Sequence, residues 1–206
     1  MFTGIVQATG SVKFLKTEQG VMRLGISTPL GFLASIEKGA SIAVDGVCLT
    51  VVDSEDTLVF FDVIEETRTL TTLGNLAMHA SVNLERSLRV GDEIGGHLLS
   101  GHVFGTAIIR EIRASGDNRM VQIQCPHDWM RYILPKGFIA IDGISLTLAQ
   151  VENDASFWVN LIPETRQRTT LELKKIGDCV NIEMDAQTVA TVTTVERVLH
   201  QQSAEI

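Results

Sequence analysis

Short runs of residues that alternate between polar and apolar side chains recur along the whole chain. A period of two is typical of half-buried β-strands, and Gly, Asp and Ser residues separate the runs as turns do. About six such runs in each half favour a small closed β-barrel over an α/β sheet. The predicted strands are residues 5–6, 11–14, 22–26, 41–44, 48–52, 58–63 and 82–85, then 103–110, 120–124, 138–141, 145–151, 157–162 and 180–184.

A few segments depart from the period of two. Short helices are predicted at residues 29–36, 67–73, 126–133 and 165–171. After Asp185, apolar residues recur at spacings of three and four, which predicts an amphipathic helix with Val189, Val192, Val195 and Leu199 on one face. Val and Thr are mediocre helix formers, so this helix needs packing to persist. Nothing in the first half of the chain matches this helix, and an apolar stripe of this kind favours an oligomerisation element.

The chain contains one pattern twice. Segment 44–51 (VDGVCLTV) returns 97 residues later as segment 141–148 (IDGISLTL). Three further pairs keep the same order at 97 or 98 residues, namely 3–6 with 100–103, 66–68 with 164–166, and 82–85 with 180–183. Four matches in one order indicate a duplicated domain, and copies of this length are self-sufficient domains rather than solenoid repeats. The predicted domains are residues 1–90, 91–186 and a C-terminal helix over 187–206, with a glycine-rich linker at 87–96.

Composition is that of an ordinary soluble globular protein. Hydrophobic residues make up 45% and charged residues 20% of the 206 residues. The net charge of −8, from 17 basic and 25 acidic residues, argues against nucleic-acid binding. No stretch approaches the roughly 20 apolar residues that span a bilayer, and the N-terminal residues show no secretory pattern, so neither membrane insertion nor secretion is predicted.

The cysteines and histidines give no sign of a disulfide framework or a metal site. Cys48, Cys125 and Cys179 are odd in number and far apart, with no C-x-x-C pair, which predicts reduced thiols in a cytoplasmic protein. His97 and His102 are five residues apart, and no carboxylate or cysteine completes a ligand set with them. No metal site is therefore predicted.

The two copies differ at positions that bear on chemistry. Ile5 of the first copy corresponds to His102, Cys48 to Ser145, and Ser87 to Asp185. At each position the second copy gains a group that can move a proton or accept a hydrogen bond. The shared Asp-Gly turns are explained by barrel hairpins alone, and a lone histidine is as consistent with a structural role as with catalysis. From the residues alone, the chain is two barrels with paired, differentiated polar pockets.

Four longer motifs carry a resemblance. Residues 1–6 (MFTGIV), 95–102 (GGHLLSGH), 137–147 (GFIAIDGISLT) and 161–165 (LIPET) closely resemble the riboflavin synthase family, alpha-chain type, and the resemblance covers essentially the whole chain. It implies an all-β fold of two tandem homologous six-stranded Greek-key barrels, with short helices and a C-terminal α-helix. It also implies a homotrimer, formed around the C-terminal helices of the three subunits.

The resemblance further implies the reaction. A four-carbon unit passes from one molecule of 6,7-dimethyl-8-ribityllumazine to another and gives riboflavin and 5-amino-6-(D-ribitylamino)uracil, the final step of riboflavin biosynthesis. The active site is expected between the N-terminal barrel of one subunit and the C-terminal barrel of a neighbour. No cofactor is expected, because the donor lumazine supplies the carbons. Lumazine and riboflavin are the expected ligands, and association with lumazine synthase is a further expectation.

Site residues carried over from the family fall into two pockets. The N-barrel pocket is expected to comprise Gly4, Ile5, Val6, Cys48, Leu49, Thr50, Asp62, Val63, Ile64, Glu65, Glu66 and Thr67. The C-barrel pocket is expected to comprise Gly101, His102, Val103, Lys136, Ser145, Leu146, Thr147, Ile162, Pro163, Glu164, Thr165, Arg166 and Gln167. The chemistry needs a base at the C7 methyl of one lumazine and a nucleophile or polarising group at C7 of the other. The catalytic candidates are His102, Ser145, Thr147, Asp185, Cys48 and Ser41.

Two rival functions fit parts of this pattern. A non-catalytic lumazine- or flavin-binding fluorescent protein shares the fold but loses polar residues of the second pocket, and this chain keeps them. A flavin-dependent oxidoreductase barrel also holds flavins, but it adds a nucleotide-binding α/β domain that this sequence lacks. The enzyme is therefore preferred.

Overall fold

A computed structural model of the chain describes residues 1–204, within which twelve antiparallel strands close into two barrels. The first barrel is built from β1 Ala8–Glu18, β2 Val21–Ser27, β3 Ser41–Val44, β4 Val47–Glu55, β5 Leu58–Val63 and β6 Ser81–Arg86. The second is built from β7 Gly105–Ser115, β8 Asn118–Gln124, β9 Phe138–Ile141, β10 Ile144–Val151, β11 Ser156–Leu161 and β12 Cys179–Met184.

Both barrels have the Greek-key order that was predicted. In the first, the strands follow the order β1-β2-β5-β4-β3-β6, so that β6 returns beside β3 after the β3-β4-β5 meander. In the second, β12 returns beside β9 in the same way. Bulges occur at equivalent places, after Val12 and Val51 in the first barrel and after Ile109 and Leu148 in the second. A bulge bends its strand and increases the local twist, which helps a short sheet to close.

Helices are few and lie between or after the strands. They are α1 Glu65–Leu70, α2 Pro163–Arg168 and α3 Ala186–Ala204, with 3₁₀ helices at Thr72–Asn75, His127–Tyr132 and Thr170–Glu172. The prediction of a helix over residues 29–36 was wrong, because this segment forms successive turns. Gly31 and Ser35 both have positive φ, at 84° and 57°, and such a backbone cannot continue a right-handed helix.

Each barrel has its own apolar core, in agreement with the predicted alternation. Along β5, Val59, Phe61 and Val63 point into the first barrel and are fully buried. Along β11, Phe157, Val159 and Leu161 do the same in the second barrel. The boundaries predicted at residues 90 and 186 stay predictions.

An approximate twofold axis relates the barrels, and buried polar groups meet on it. Asn83 donates its backbone N–H to Asp45 Oδ1 at 2.7 Å and its side-chain amide to the carbonyl oxygen of Asp142 at 2.9 Å. Asn181 makes the reciprocal bonds, to Asp142 Oδ1 at 2.7 Å and to the carbonyl oxygen of Asp45 at 2.8 Å. One feature breaks the symmetry, since Lys174 Nζ lies 3.2 Å from Asp142 Oδ2.

The apolar residues of α3 divide between two faces, which corrects the predicted single seam. Val189 and Val192 pack against the core of the second barrel. Val195 and Val198 are instead 52% and 46% exposed. Asp185 caps the helix by accepting the backbone N–H of Thr188 at 2.7 Å. Within the described residues no helix is long and apolar enough to cross a membrane. Glu205 and Ile206, the end of the predicted segment, lie outside the described residues.

Candidate active site

The segment before β1 lies on the second barrel rather than on its own. We call residues 3–6 the first leader. The carbonyl oxygen of Gly4 accepts the backbone N–H of Ser145 on β10 at 2.8 Å. Val6 is buried in the core of the second barrel. The first leader therefore forms part of the pocket that contains Ser145.

The equivalent segment of the second copy makes the reciprocal exchange. We call residues 100–103 the second leader. The carbonyl oxygen of Gly101 accepts the backbone N–H of Cys48 on β4 at 2.9 Å, and Val103 is buried in the core of the first barrel. His102, which is exposed, thus lies beside the first barrel.

The grouping of the leaders predicted from the sequence was therefore wrong. Residues 4–6 belong with the pocket of the second barrel, and residues 101–103 belong with that of the first. Equivalence between the copies does not determine which barrel a leader contacts, because the repeated pattern is the same whether a leader packs on its own barrel or on the other one. The structure also separates the catalytic candidates, with Ser41, Cys48 and His102 at one barrel and Ser145, Thr147 and Asp185 at the other.

The pockets form where neighbouring strands stop pairing. β4 and β5 pair only from Val51 and Phe61 toward their hairpin, so residues 47–50 and 62–63 diverge beyond that point. β10 and β11 pair from Leu148 and Val159 in the same manner. Each gap is flanked by the start of α1 or α2 and is occupied along one side by a leader. The first gap thus has residues 47–50 and the second leader along its border, and the second gap has residues 144–147 and the first leader.

Within each gap, alternate side chains of the strand face outward. Thr50 and Thr147 are exposed and Cys48 and Ser145 are partly exposed, whereas Leu49 and Leu146 are buried. Ser41 lies directly opposite Thr50 in the β3–β4 ladder. Lys136 is exposed in a turn, and its backbone N–H donates to the carbonyl oxygen of Leu148 at 3.1 Å. Polar groups therefore line each gap and apolar groups form its base.

Two buried glutamates, which are not among the site residues predicted from the sequence, hold the leaders. Glu85 on β6 accepts the backbone N–H of Thr3 at 2.6 Å, its hydroxyl at 2.7 Å and the backbone N–H of Gly4 at 3.0 Å. Glu183 on β12 accepts the same set of bonds from Ser100 and Gly101. Burial raises the pKa of both carboxyls, and these hydrogen bonds oppose the rise. The repeated VNLE and VNIE motifs were the available signal.

Several charged candidates already have protein partners. Asp62 forms a two-point ion pair with Arg23, at 2.6 and 3.2 Å. Arg166 forms another with Glu172, at 2.8 and 2.9 Å, and its guanidinium lowers the pKa of that carboxyl to about 2. Glu164 pairs with Arg168 on α2. These ion pairs stabilise the strands and helices that border the pockets.

His97 is another residue of the site that was not predicted from the sequence. Its Nδ1 lies 2.7 Å from Ser145 Oγ. Burial lowers the pKa of His97, and the negative charge of Asp185 opposes this shift. No sequence signal placed His97 at Ser145, because the contact joins the linker to a strand 48 residues away. Among the described residues no cluster of three or more His, Cys, Asp or Glu side chains could hold a metal ion.

The close approach of leader and strand gives a first testable prediction. A Cβ atom on Gly101 would lie 2.5 Å from Cys48 Cβ, and the residue has φ of +79°. Gly20 has nearly the same φ, +82°, but no atom lies within 4 Å of the equivalent position. We expect Gly101→Ala to lower the free energy of unfolding by about 1–3 kcal/mol more than Gly20→Ala, measured by urea denaturation. Equal losses would mean that the second leader does not pack tightly on β4.

Comparisons with known proteins give a consistent result. A family model described as "Lumazine binding domain" matches residues 3–87 and again residues 100–185. The riboflavin synthase of Chlamydia pneumoniae is 52% identical over 200 residues, covering 97% of each chain. That of Escherichia coli (strain K12) is 47% identical over 200 residues, covering 97% of this chain and 93% of the relative.

Solved structures agree with the sequence relatives. The crystal structure of LumP complexed with riboflavin has a TM-score of 0.83 at 32% identity, covering 90% of this chain and all of that one (100%). LumP complexed with 6,7-dimethyl-8-(1'-D-ribityl) lumazine has a TM-score of 0.81 at 31% identity, covering 90% of this chain and 99% of the other. Two domain matches and near-complete coverage at these identities show that the chain belongs to the riboflavin synthase family.

Proposed function

We propose that the protein converts two molecules of 6,7-dimethyl-8-ribityllumazine to riboflavin and 5-amino-6-(D-ribitylamino)uracil, in active sites completed by two subunits of a homotrimer. The activity is that of riboflavin synthase, a transferase. One observation carries the proposal, namely two equivalent polar gaps on two related barrels. A reaction between two identical substrates needs two similar pockets, and holding both reactants in one orientation can contribute roughly 7–11 kcal/mol.

The reaction is tested by incubating the protein with 6,7-dimethyl-8-ribityllumazine in the absence of any added cofactor. We expect one riboflavin to appear for every two lumazines consumed. The second candidate function is binding without conversion, which the similarity to the LumP complexes favours. Tight binding of lumazine with no riboflavin formed would select that function instead.

The distribution of the catalytic candidates supports sharing of the site between subunits. His102 and Cys48 lie at the first barrel, whereas Ser145 and Thr147 lie at the second. A site that uses both sets brings the first barrel of one subunit against the second barrel of another. The exposed valines of α3 offer the apolar face on which such subunits associate.

Assembly gives a prediction at two residues of α3. Val195→Asp with Val198→Asp places charges on the exposed apolar face and leaves the barrel-facing Val189 and Val192 intact. We expect trimers to give way to smaller species in sedimentation, with loss of most activity because each site loses its second barrel. Ala190→Asp, at an exposed position in the first half of α3, is the control and should keep both trimer and activity. A fully active monomer would contradict the shared site.

We further propose that the protein is cytoplasmic and associates with lumazine synthase. The cysteines are all free in the structure, which supports a reducing, cytoplasmic environment. Association with lumazine synthase follows only from the family resemblance, and co-sedimentation of the two proteins would test it.

A further inference from the structure

His97 is held rigidly against the second pocket. Its backbone N–H donates to the carbonyl oxygen of Thr3 in the first leader at 3.1 Å. Its ring stacks on Phe138 with centroids 5.1 Å apart and an interplanar angle of 15°. Because Phe138 lies opposite Thr147 in the β9–β10 ladder, the ring is fixed beside the pocket strand.

The backbone and Cβ of Ser145 are equally constrained, so that only rotation of its hydroxyl group remains. A Cβ on Gly4 would lie 2.6 Å from Ser145 Cβ, and a Cβ on Gly96 would lie 2.7 Å from the same atom. The backbones of both glycines therefore approach Ser145 too closely to leave room for a side chain. With its Cβ fixed in this way, the 2.7 Å contact to His97 Nδ1 defines the direction of the hydroxyl.

The other ring nitrogen of His97 is buried and lacks a partner. The residue is 7% exposed, and its Nε2 has no hydrogen-bond partner among residues 1–204. An unpaired buried polar atom costs stability, and a catalytic role is one reason for a protein to retain it. The first pocket differs, because no histidine in the described part of the chain hydrogen-bonds to Cys48, the counterpart of Ser145.

We propose that His97 orients the Ser145 hydroxyl and accepts its proton as a general base, which makes Ser145 the nucleophile of the second pocket. This inference rests on the proposed function. In the step, Ser145 Oγ forms a C–O bond to C7 of a bound lumazine, and the C6=C7 π pair moves into the conjugated ring system. The Oγ–H bond breaks and its proton passes to His97 Nδ1. When Ser145 leaves, the proton returns, so no oxidant or reductant is consumed.

The asymmetry between the copies follows from this assignment. A thiol has a lower ordinary pKa than a hydroxyl and is nucleophilic without a neighbouring base, whereas a serine hydroxyl needs one. The second pocket therefore pairs its serine with a histidine, and Cys48 of the first pocket functions without one.

A double-mutant cycle with His97→Gln and Ser145→Ala tests the assignment. Glutamine keeps hydrogen-bonding capacity but cannot take a proton. We expect each single variant to lower kcat by about 10²–10³-fold with KM changed less than about threefold. The double variant should be no slower than Ser145→Ala, because His97 acts through Ser145. Multiplicative losses, or a change confined to KM, would overturn the inference.

Controls separate this inference from the proposed function and from folding defects. Wild-type protein in the same assay tests the function itself, and its failure to form riboflavin would remove both. His127→Gln is the same substitution at an exposed histidine outside the pockets and should keep full activity. If His97→Gln does not fold, Phe138→Leu is the alternative variant. It removes the aromatic ring on which the His97 imidazole stacks, and it does so at a half-exposed position. It should lower kcat in wild type but not in Ser145→Ala, and an equal loss in both would overturn the inference.

Discussion

Replacement of Asp142 by asparagine is expected to lower the free energy of unfolding by about 3–5 kcal/mol. Asp142 is fully buried on the axis between the barrels, and Lys174 lies 3.2 Å from it with a side chain only 21% exposed. Without the carboxylate, the ammonium group stays buried with no opposite charge in contact. Urea denaturation at pH 7 measures the loss.

Asp45→Asn is the matched control, since Asp45 occupies the equivalent position without a lysine in contact. Burial, together with the negative charge of Asp142, raises the pKa of Asp45 to about 8 from 3.8. The folded protein thus retains a proton that the unfolded chain releases. The contribution of Asp45 to the free energy of unfolding is fully present below about pH 4 and is lost as the pH rises through about 8. The free energy of unfolding of Asp45→Asn should depend less on pH between pH 5 and 8 than that of the wild type. At pH 7 the substitution should lower it only slightly.

An equal loss from both substitutions at pH 7 would contradict this account. It would mean that Lys174 neutralises the two carboxylates equally and that the axis carries no asymmetry. A wild type whose stability rises from pH 5 to pH 8 more than that of Asp45→Asn would also oppose it, because the sign of the proton linkage would be reversed.

Ser145→Ala is expected to lower kcat by about 10²–10³-fold with little change in KM, since a positioned hydroxyl acts mainly in the transition state. Cys48→Ser is the comparison in the first pocket. It is nearly isosteric and leaves the Ser145–His97 pair unchanged, so kcat should fall much less. Steady-state kinetics with the lumazine substrate measure both. A near-normal kcat for Ser145→Ala would shift the chemistry to Cys48 and His102.

The fold could be predicted because its signals are local and repeated. Strands β3, β5 and β9 have the boundaries that the polar–apolar alternation predicts. Residues 5–6, predicted as a strand, instead belong to the first leader. Their apolar character indicated burial, but it could not indicate which barrel would bury Val6.

The parts of the site that could not be predicted from the sequence depend on contacts between residues that are distant along the chain. His97 meets Ser145 only because the linker folds back over β10, and a sequence carries no direct signal of that path. The periodicity of α3 likewise predicted an apolar stripe, but it could not divide Val189 and Val192, on the barrel, from Val195, which is exposed.

The reciprocal leaders have a consequence for how such a chain can arise and be divided. Because Val6 completes one core and Val103 the other, neither half is self-contained. The same contacts would form between two copies of a single-barrel ancestor that swapped their N-terminal segments, and gene fusion would then join the swapped pair covalently. A protein engineer who separates the halves should therefore expect each to dimerise with itself, and should expect changes in one leader to require compensating changes in the opposite barrel.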